Sequence, residues 1–175
     1  MLEEGGASDV LYKMNNRTDV PGYGYQIRNG ATALTESWPA LKEVSNNHMM
    51  LGHLMEWFYS GLAGIKQQEG DAGFKKICIE PQFVEGIDWV KASYQAVRGK
   101  IMVYWRQQQG HIKLNFTIPA GTGAVVVLPV SDDKIRVNGT AINASILQKK
   151  YLLKNNKLVL RPGPGTYFLE FSKSL

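Results

Sequence analysis

From about residue 74 onward the sequence runs in short stretches of alternating apolar and polar residues, each closed by residues that tolerate positive φ. Such a rhythm confines a chain to an antiparallel β architecture. A period of two sends alternate side chains to opposite faces, and tight turns return each strand beside its neighbour. Strands are expected at Lys75 to Pro81, Asp88 to Val97, Lys100 to Gln107, His111 to Pro119 and Gly123 to Leu128. Arg98-Gly99, Gln109-Gly110, Asn138-Gly139 and Asn155-Asn156 supply turns, the last between Tyr151-Leu-Leu153 and Leu158-Val-Leu160. The run Gly165 to Ser172 alternates Tyr167, Leu169 and Phe171 against Phe168 and Glu170. About eight or nine short strands imply a β-sandwich over residues 71–175. Trp89, Tyr94, Tyr104 and Trp105 lie on these strands, where packing in the core is expected of them. Cys78, the single cysteine, reads as a small core residue and can form no intrachain disulfide.

Residues 1–70 follow a different period, so the fold class expected is α+β. Leu2, Val10, Leu11 and Met14 mark a first helix that the Thr18-Asp19-Val20-Pro21-Gly22 segment ends. A second helix is expected after an N-cap at Ser45 or Asn46, with Leu51, Leu54, Phe58 and Leu62 on one buried face and Gly64 as its stop. Two helices cannot cover each other's apolar surface, and Met49, Met50, Met55, Trp57 and Tyr59 add to it. The β region, a partner chain or further helices must pack there.

The chain is 44% hydrophobic and 20% charged, which excludes a disordered or fibrous protein. Its net charge of +5 is scattered over sites such as Lys75, Lys76, Arg98 and Lys100, without a basic stripe or a recognisable module, so no nucleic-acid partner is expected. No run reaches the roughly 18 apolar residues of a membrane span, and the start Met-Leu-Glu-Glu lacks a signal-peptide pattern. A soluble chain without a membrane partner is the expectation. Its localisation stays open.

No phosphate-cradling glycine loop, no Cys or His pair at zinc spacing and no nucleophile elbow occurs, so neither metal nor cofactor is expected. What remains is the segment Tyr23-Gly-Tyr25-Gln-Ile-Arg-Asn-Gly30-Ala-Thr-Ala-Leu-Thr-Glu36-Ser-Trp38, followed by Asn46-Asn-His48. It gathers aromatic rings, a carboxylate and an imidazole, the groups a sugar site needs to stack on a pyranose, bind hydroxyls and move a proton. Composition alone leaves Glu36 open between a solvated loop carboxylate and a catalytic one, and Trp38 between a core anchor and a sugar contact.

Gly30-Ala-Thr-Ala-Leu-Thr-Glu36-Ser-Trp38 is similar to the Gly-Ala-Thr-Thr-x-Trp-Glu-x-Trp segment of bacterial α-L-rhamnosidases, and Asn47-His48, Gly52, Glu56-Trp57 and Gly64-Ile65 resemble the pattern that follows it. Phe74-Lys-Lys-Ile, Ile79-Glu-Pro81, Lys91-Ala-Ser-Tyr94, Gly99-Lys-Ile101, Trp105, Pro119-Ala120 and Asn138-Gly139 resemble the family's next domain. The resemblance covers nearly the whole chain. Two departures stand out: Thr35 occupies a position where many members have Trp, and the stretch from Trp38 to His48 is shorter than usual.

The resemblance implies that residues 1–70 are the C-terminal remnant of an (α/α)6 catalytic barrel and residues 71–175 the β-sandwich that follows it. It implies hydrolysis of terminal non-reducing α-L-rhamnose residues with inversion, in which one carboxylic acid protonates the leaving oxygen and a second carboxylate activates water. Glu36 matches the second group, while His48 and Trp38 match substrate contacts. The general acid lies on family segments that this sequence does not contain, so the chain alone is expected to be inactive. The partners implied are a rhamnose-containing glycoside or polysaccharide and the missing barrel portion. The competing expectation is a non-catalytic carbohydrate-binding or structural sandwich that forms a homo-oligomer through its helical face.

Overall fold

The structure, a computed structural model, describes residues 2–132, 134–145 and 150–174. It divides into two compact units, Met1–Phe58 and Tyr59–Leu175.

In the first unit α1 spans Ser8–Asn16 and α2 spans Tyr23–Arg28. α1 ends where Arg17 turns extended, and the Arg17 guanidinium then grips both Asp19 carboxylate oxygens at 2.9 and 2.7 Å. Gly24 lets α2 pass close to that corner, for a Cβ there would lie 2.4 Å from the Arg17 carbonyl oxygen. No helix is expected at Tyr23–Arg28 from sequence, because that close approach, the reason for a glycine inside a helix, is tertiary.

The long second helix expected from residue 45 is instead a composite of a 3-10 stretch at Met49–His53, an α turn at Leu54–Glu56 and a π turn at Trp57–Leu62. Ser45 and Asn46 do not cap it. They lie before it in irregular backbone, tied through Glu36 N–H to the Ser45 carbonyl and His48 N–H to the Leu34 carbonyl. Because 3-10, α and π turns advance by different angles, the stripe does not stay on one face. Leu51 and Leu54 are half-buried and Phe58 is exposed, whereas Trp57 and Leu62 are buried. Trp57 Nε1 donates to Ser8 Oγ at 2.7 Å and the Tyr23 hydroxyl to the Leu51 carbonyl, which fastens α1 and α2 to the composite segment.

The second unit is a sandwich of two sheets. The five-stranded sheet runs β1 (Ile65–Gln67), β2 (Lys76–Ile79), β6 (Gly123–Pro129), β10 (Lys157–Leu160), β9 (Tyr151–Lys154). The six-stranded sheet runs β3 (Trp89–Ala96), β4 (Gly99–Gln108), β5 (His111–Ile118), β11 (Gly165–Ser172), β7 (Arg136–Val137), β8 (Thr140–Ala141). All pairings are antiparallel except β2 with β6, which run parallel from Lys76↔Gly123 to Ile79↔Val126. Ile77, Ile79, Val126, Leu128 and Leu160 of one sheet meet Ile101, Val103, Trp105, Leu114, Phe116 and Leu169 of the other in one core. Phe83 sits edge-on to Trp105 and Phe171, at 5.1 and 5.9 Å between ring centres.

The chain enters the sandwich at Gly64, whose φ of +69° ends the helical segment and aims Ile65 into β1. Trp105 Nε1 donates to the Leu62 carbonyl at 2.7 Å, so the buried ring satisfies its polar atom on that same entry. Expectations for three strand aromatics need correction, and Tyr104 is one of them: it is half-buried on the face opposite Ile101, Val103 and Trp105. Trp105 is wholly buried, but Trp89 is 60% exposed and Tyr94 42% exposed. Val90 pairs with Trp105 and Trp89 with Arg106, so the period of two turns Trp89 outward. Tyr94 packs at the sheet margin on Phe74, ring centres 4.7 Å apart. Cys78 is half-buried between the fully buried Ile77 and Ile79, again by alternation, and burial pushes its thiol pKa up, with Glu80 adding to the effect.

Candidate functional site

The segment around Glu36 is built on one buried amide. α2 carries Gln26 inward, where it is 3% exposed. Its Nε2 donates to the Thr35 hydroxyl at 2.7 Å, to the Thr35 carbonyl at 2.9 Å and to the Ser37 carbonyl at 3.4 Å. The Thr35 hydroxyl, itself 1% exposed, donates to the Ser37 carbonyl at 2.7 Å. The carbonyls on both sides of Glu36 are thereby held by groups that water cannot reach. Satisfied polar contacts in a low dielectric are strong and directional, so this arrangement fixes the backbone that carries the carboxylate.

Glu36 points out of that frame and is exposed. Its N–H donates to the Ser45 carbonyl at 2.8 Å, and its Oε2 accepts from the Ser45 N–H at 3.3 Å. Residues 34–36 and 45–48 are therefore tied to each other along the backbone, a second bond running from His48 N–H to the Leu34 carbonyl at 2.7 Å. His48 is half-buried at the head of the 3-10 stretch, and among the described residues its imidazole has no hydrogen-bond partner. Beyond Glu36 the chain turns sharply: the Ser37 carbonyl accepts from Ala40 N–H at 3.1 Å, the Ser37 hydroxyl accepts from Leu41 N–H at 2.9 Å, and Ala40 takes φ +55°. That turn leaves Trp38 half-buried, with its ring perpendicular to Tyr23 at 5.9 Å. Burial raises the Tyr23 pKa.

Of the three residues singled out from sequence, these backbone bonds bring Glu36 and His48 onto adjacent segments, while Trp38 is set against Tyr23. Among the described residues no hydrogen bond, ion pair or ring contact joins the three side chains. Gln26 and the buried Thr35 hydroxyl were not picked out, and no local signal marks them: Gln26 stands in a Tyr-Gln-Ile-Arg stretch like any exposed amide. Among the described residues no group of three His, Cys, Asp or Glu could hold a metal ion. The arrangement presents an exposed carboxylate on a backbone held by buried hydrogen bonds, with His48 on the segment tied to it.

Comparison with known proteins gives one answer along the chain. Residues 1–62 match the family model of the bacterial α-L-rhamnosidase six-hairpin glycosidase domain, and residues 64–143 match that of the bacterial α-L-rhamnosidase C-terminal domain. An α-L-rhamnosidase of Alteromonas sp. is 32% identical over 138 residues, which is 74% of this chain and 15% of that protein. One from Streptomyces avermitilis is 28% identical over 155 residues, 82% of this chain and 15% of that protein. The solved α-L-rhamnosidase from Dictyoglumus thermophilum superposes with a TM-score of 0.85 at 26% identity, over 98% of this chain and 20% of that one. The Streptomyces avermitilis enzyme complexed with L-rhamnose gives 0.82 at 24% identity, a likeness of fold, over 98% of this chain and 17% of that one. The chain thus spans 15 to 20% of the length of the curated relatives it matches.

Proposed function

Because the chain belongs to the bacterial α-L-rhamnosidase family and corresponds to its C-terminal portion, we propose that it supplies the catalytic base of an inverting α-L-rhamnosidase, and that this base is Glu36. The observation that carries the proposal is the frame described above: a buried Gln26 amide and Thr35 hydroxyl lock the backbone on both sides of an exposed carboxylate, within the segment that matches a glycosidase domain. A general base must hold its oxygen against a water in a fixed place, and a rigid backbone does that with little reorganisation.

In this reading a water attacks the anomeric carbon of a terminal rhamnose, Glu36 takes its proton, and a carboxylic acid on another part of the barrel protonates the departing oxygen. Inversion needs the two carboxyl groups roughly 6.5–9.5 Å apart, so that the water fits between Glu36 and the sugar. His48 binds a sugar hydroxyl through its unpartnered imidazole, and Trp38 offers an apolar face to the ring. Both tasks need their own group, so the 175-residue chain alone does not turn over substrate. The apolar side chains exposed on the first unit, among them Met14 at 55%, Ile27 at 71%, Met49 at 84% and Met50 at 74%, support a role for remaining barrel helices as their cover.

The test uses an aryl α-L-rhamnoside. In the protein that joins this chain to a complete six-hairpin barrel, Glu36→Gln lowers kcat by about 10²–10⁴-fold and leaves the affinity for rhamnose nearly unchanged. An unaltered kcat removes Glu36 from the mechanism. Release of the aryl alcohol by the 175-residue chain alone, abolished in Glu36→Gln, would show that the site needs no second segment.

A further inference from the structure

The outward face of the six-stranded sheet carries a second set of groups with a ligand chemistry of its own. On β3, β4 and β5 the cross-strand neighbours are Trp89 with Arg106, Lys91 with Tyr104, and Tyr104 with Asn115. One row further along, Met102 faces Thr117, whose hydroxyl meets that of Thr166 at 3.0 Å. These side chains and Lys100 line one shallow hollow. Trp89 stands on an edge strand and is 60% exposed, so its ring can be approached both from the face and from the side.

Charge on this hollow is of one sign. Lys91, Lys100 and Arg106 line it, no Asp or Glu does, and among the described residues none of the three cations is in an ion pair. The next cation along, Lys113, is paired with Glu170 at 3.3 Å, and Arg106 also borders a second hollow at the strand ends, which Glu85 and Asp88 line. A protein surface that brings no carboxylates of its own is a poor occupant, because burying three unpaired cations costs more than the apolar contacts return. Single-stranded nucleic acid asks for several open rings along a basic groove, and Tyr104, the other ring here, is half-buried beside an amide and hydroxyls. A lone open indole bordered by amide and hydroxyl groups suits the C–H face of a pyranose with its ring of hydroxyls, and the cations suit carboxylates.

We propose that this hollow binds a polysaccharide that bears carboxylate groups, with Trp89 stacked on one sugar ring and Lys91 and Arg106 paired with its acids. The proposal is independent of the role of Glu36. It is tested by affinity electrophoresis and calorimetry on the 175-residue chain, with polygalacturonate as the probe, its fully methyl-esterified form as the neutral counterpart and poly-dT as the nucleic-acid arm. Polygalacturonate retards the chain and the ester does so far less. Trp89→Ala weakens binding about tenfold, the loss of one stacked ring. Lys91→Gln with Arg106→Gln weakens it as much, whereas Lys154→Gln with Lys157→Gln, which removes equal charge from the other sheet, leaves it unchanged. Both Trp89 and the four basic residues are exposed, so circular dichroism matching the parent certifies each variant. The proposal is overturned by no retardation, by equal binding of the ester, by tighter binding of poly-dT, by an unaffected Trp89→Ala, or by equal losses in the two charge variants. Sedimentation showing that Trp89→Ala dissociates a dimer of the chain would overturn it in favour of self-association.

Discussion

Replacing Gly64 by alanine separates two kinds of cost at the entry to the sandwich. An alanine held at φ +69° loses about 1–2 kcal/mol from the clash of Cβ with its own backbone. The larger part comes from the neighbouring strand. The new Cβ would lie 2.2 Å from both the Glu80 carbonyl carbon and the Pro81 nitrogen, which are backbone atoms and cannot swing aside. Relief requires the chain at Glu80 to withdraw, and that strains the 2.9 Å bond from Glu80 N–H to the Gly64 carbonyl and the Ile65↔Ile79 register beside it. Overpacking of this kind costs about 1–3 kcal/mol, so the whole substitution costs about 2–5 kcal/mol. Gly110→Ala is the internal control: its φ is +79° and nothing lies within 4 Å of the added atom, so it should lose only the conformational part, about 1–2 kcal/mol. The assay is urea unfolding followed by tryptophan fluorescence, for which the buried Trp105, bonded to Leu62, reports on this junction. If Gly64→Ala loses no more than Gly110→Ala, the contact with Glu80 and Pro81 is not what selects glycine here.

Two further perturbations bear on the first unit. Gln26→Leu removes the donor that the Thr35 hydroxyl and carbonyl share, costs about 1–3 kcal/mol and speeds hydrogen exchange across residues 34–48; unchanged protection there would mean that Gln26 does not hold the Glu36 segment. The hydrogen bond from Arg17 lowers the pKa of Asp19 to about 2. A depressed pKa means that what the pair contributes is present above the ordinary carboxylate value of 3.8 and fades as pH falls from there through about 2. The Asp19 carboxyl titration followed by NMR should move up toward 3.8 in Arg17→Gln, and a titration that stays put would rule out Arg17 as the cause.

Where structure follows from neighbours in sequence, it was legible. β3 to β6 and β11 lie where the alternation put them, and Gln109, Asn138, Asn155 and Asn156 take positive φ at the expected turns. What depends on distant partners was not. β1 is three residues long and exists because Ile65, Lys66 and Gln67 pair with β2; its sequence carries no alternation to read. The outward orientation of Trp89 follows from its register against Arg106, which composition cannot supply. In the candidate site, Glu36, Trp38 and His48 stood out because a known motif marks them. Gln26 did not, because a buried amide is distinguished only by the carbonyls that a fold brings to it.

The parallel pairing of β2 with β6 also sets an order of assembly. β3, β4 and β5 are joined by tight turns and can zip together as soon as they exist. The other sheet has to wait, since Lys76 needs Gly123, and Val126 in turn needs Leu160. Loop closure over such separations is slow, and a two-stranded hairpin is marginal alone, so β1 and β2 spend the early part of folding with an open edge at Ile77 and Ile79. A chain interrupted before Lys157 would keep a three-stranded meander and leave β6, the strand on which the five-stranded sheet is built, unpaired on one side.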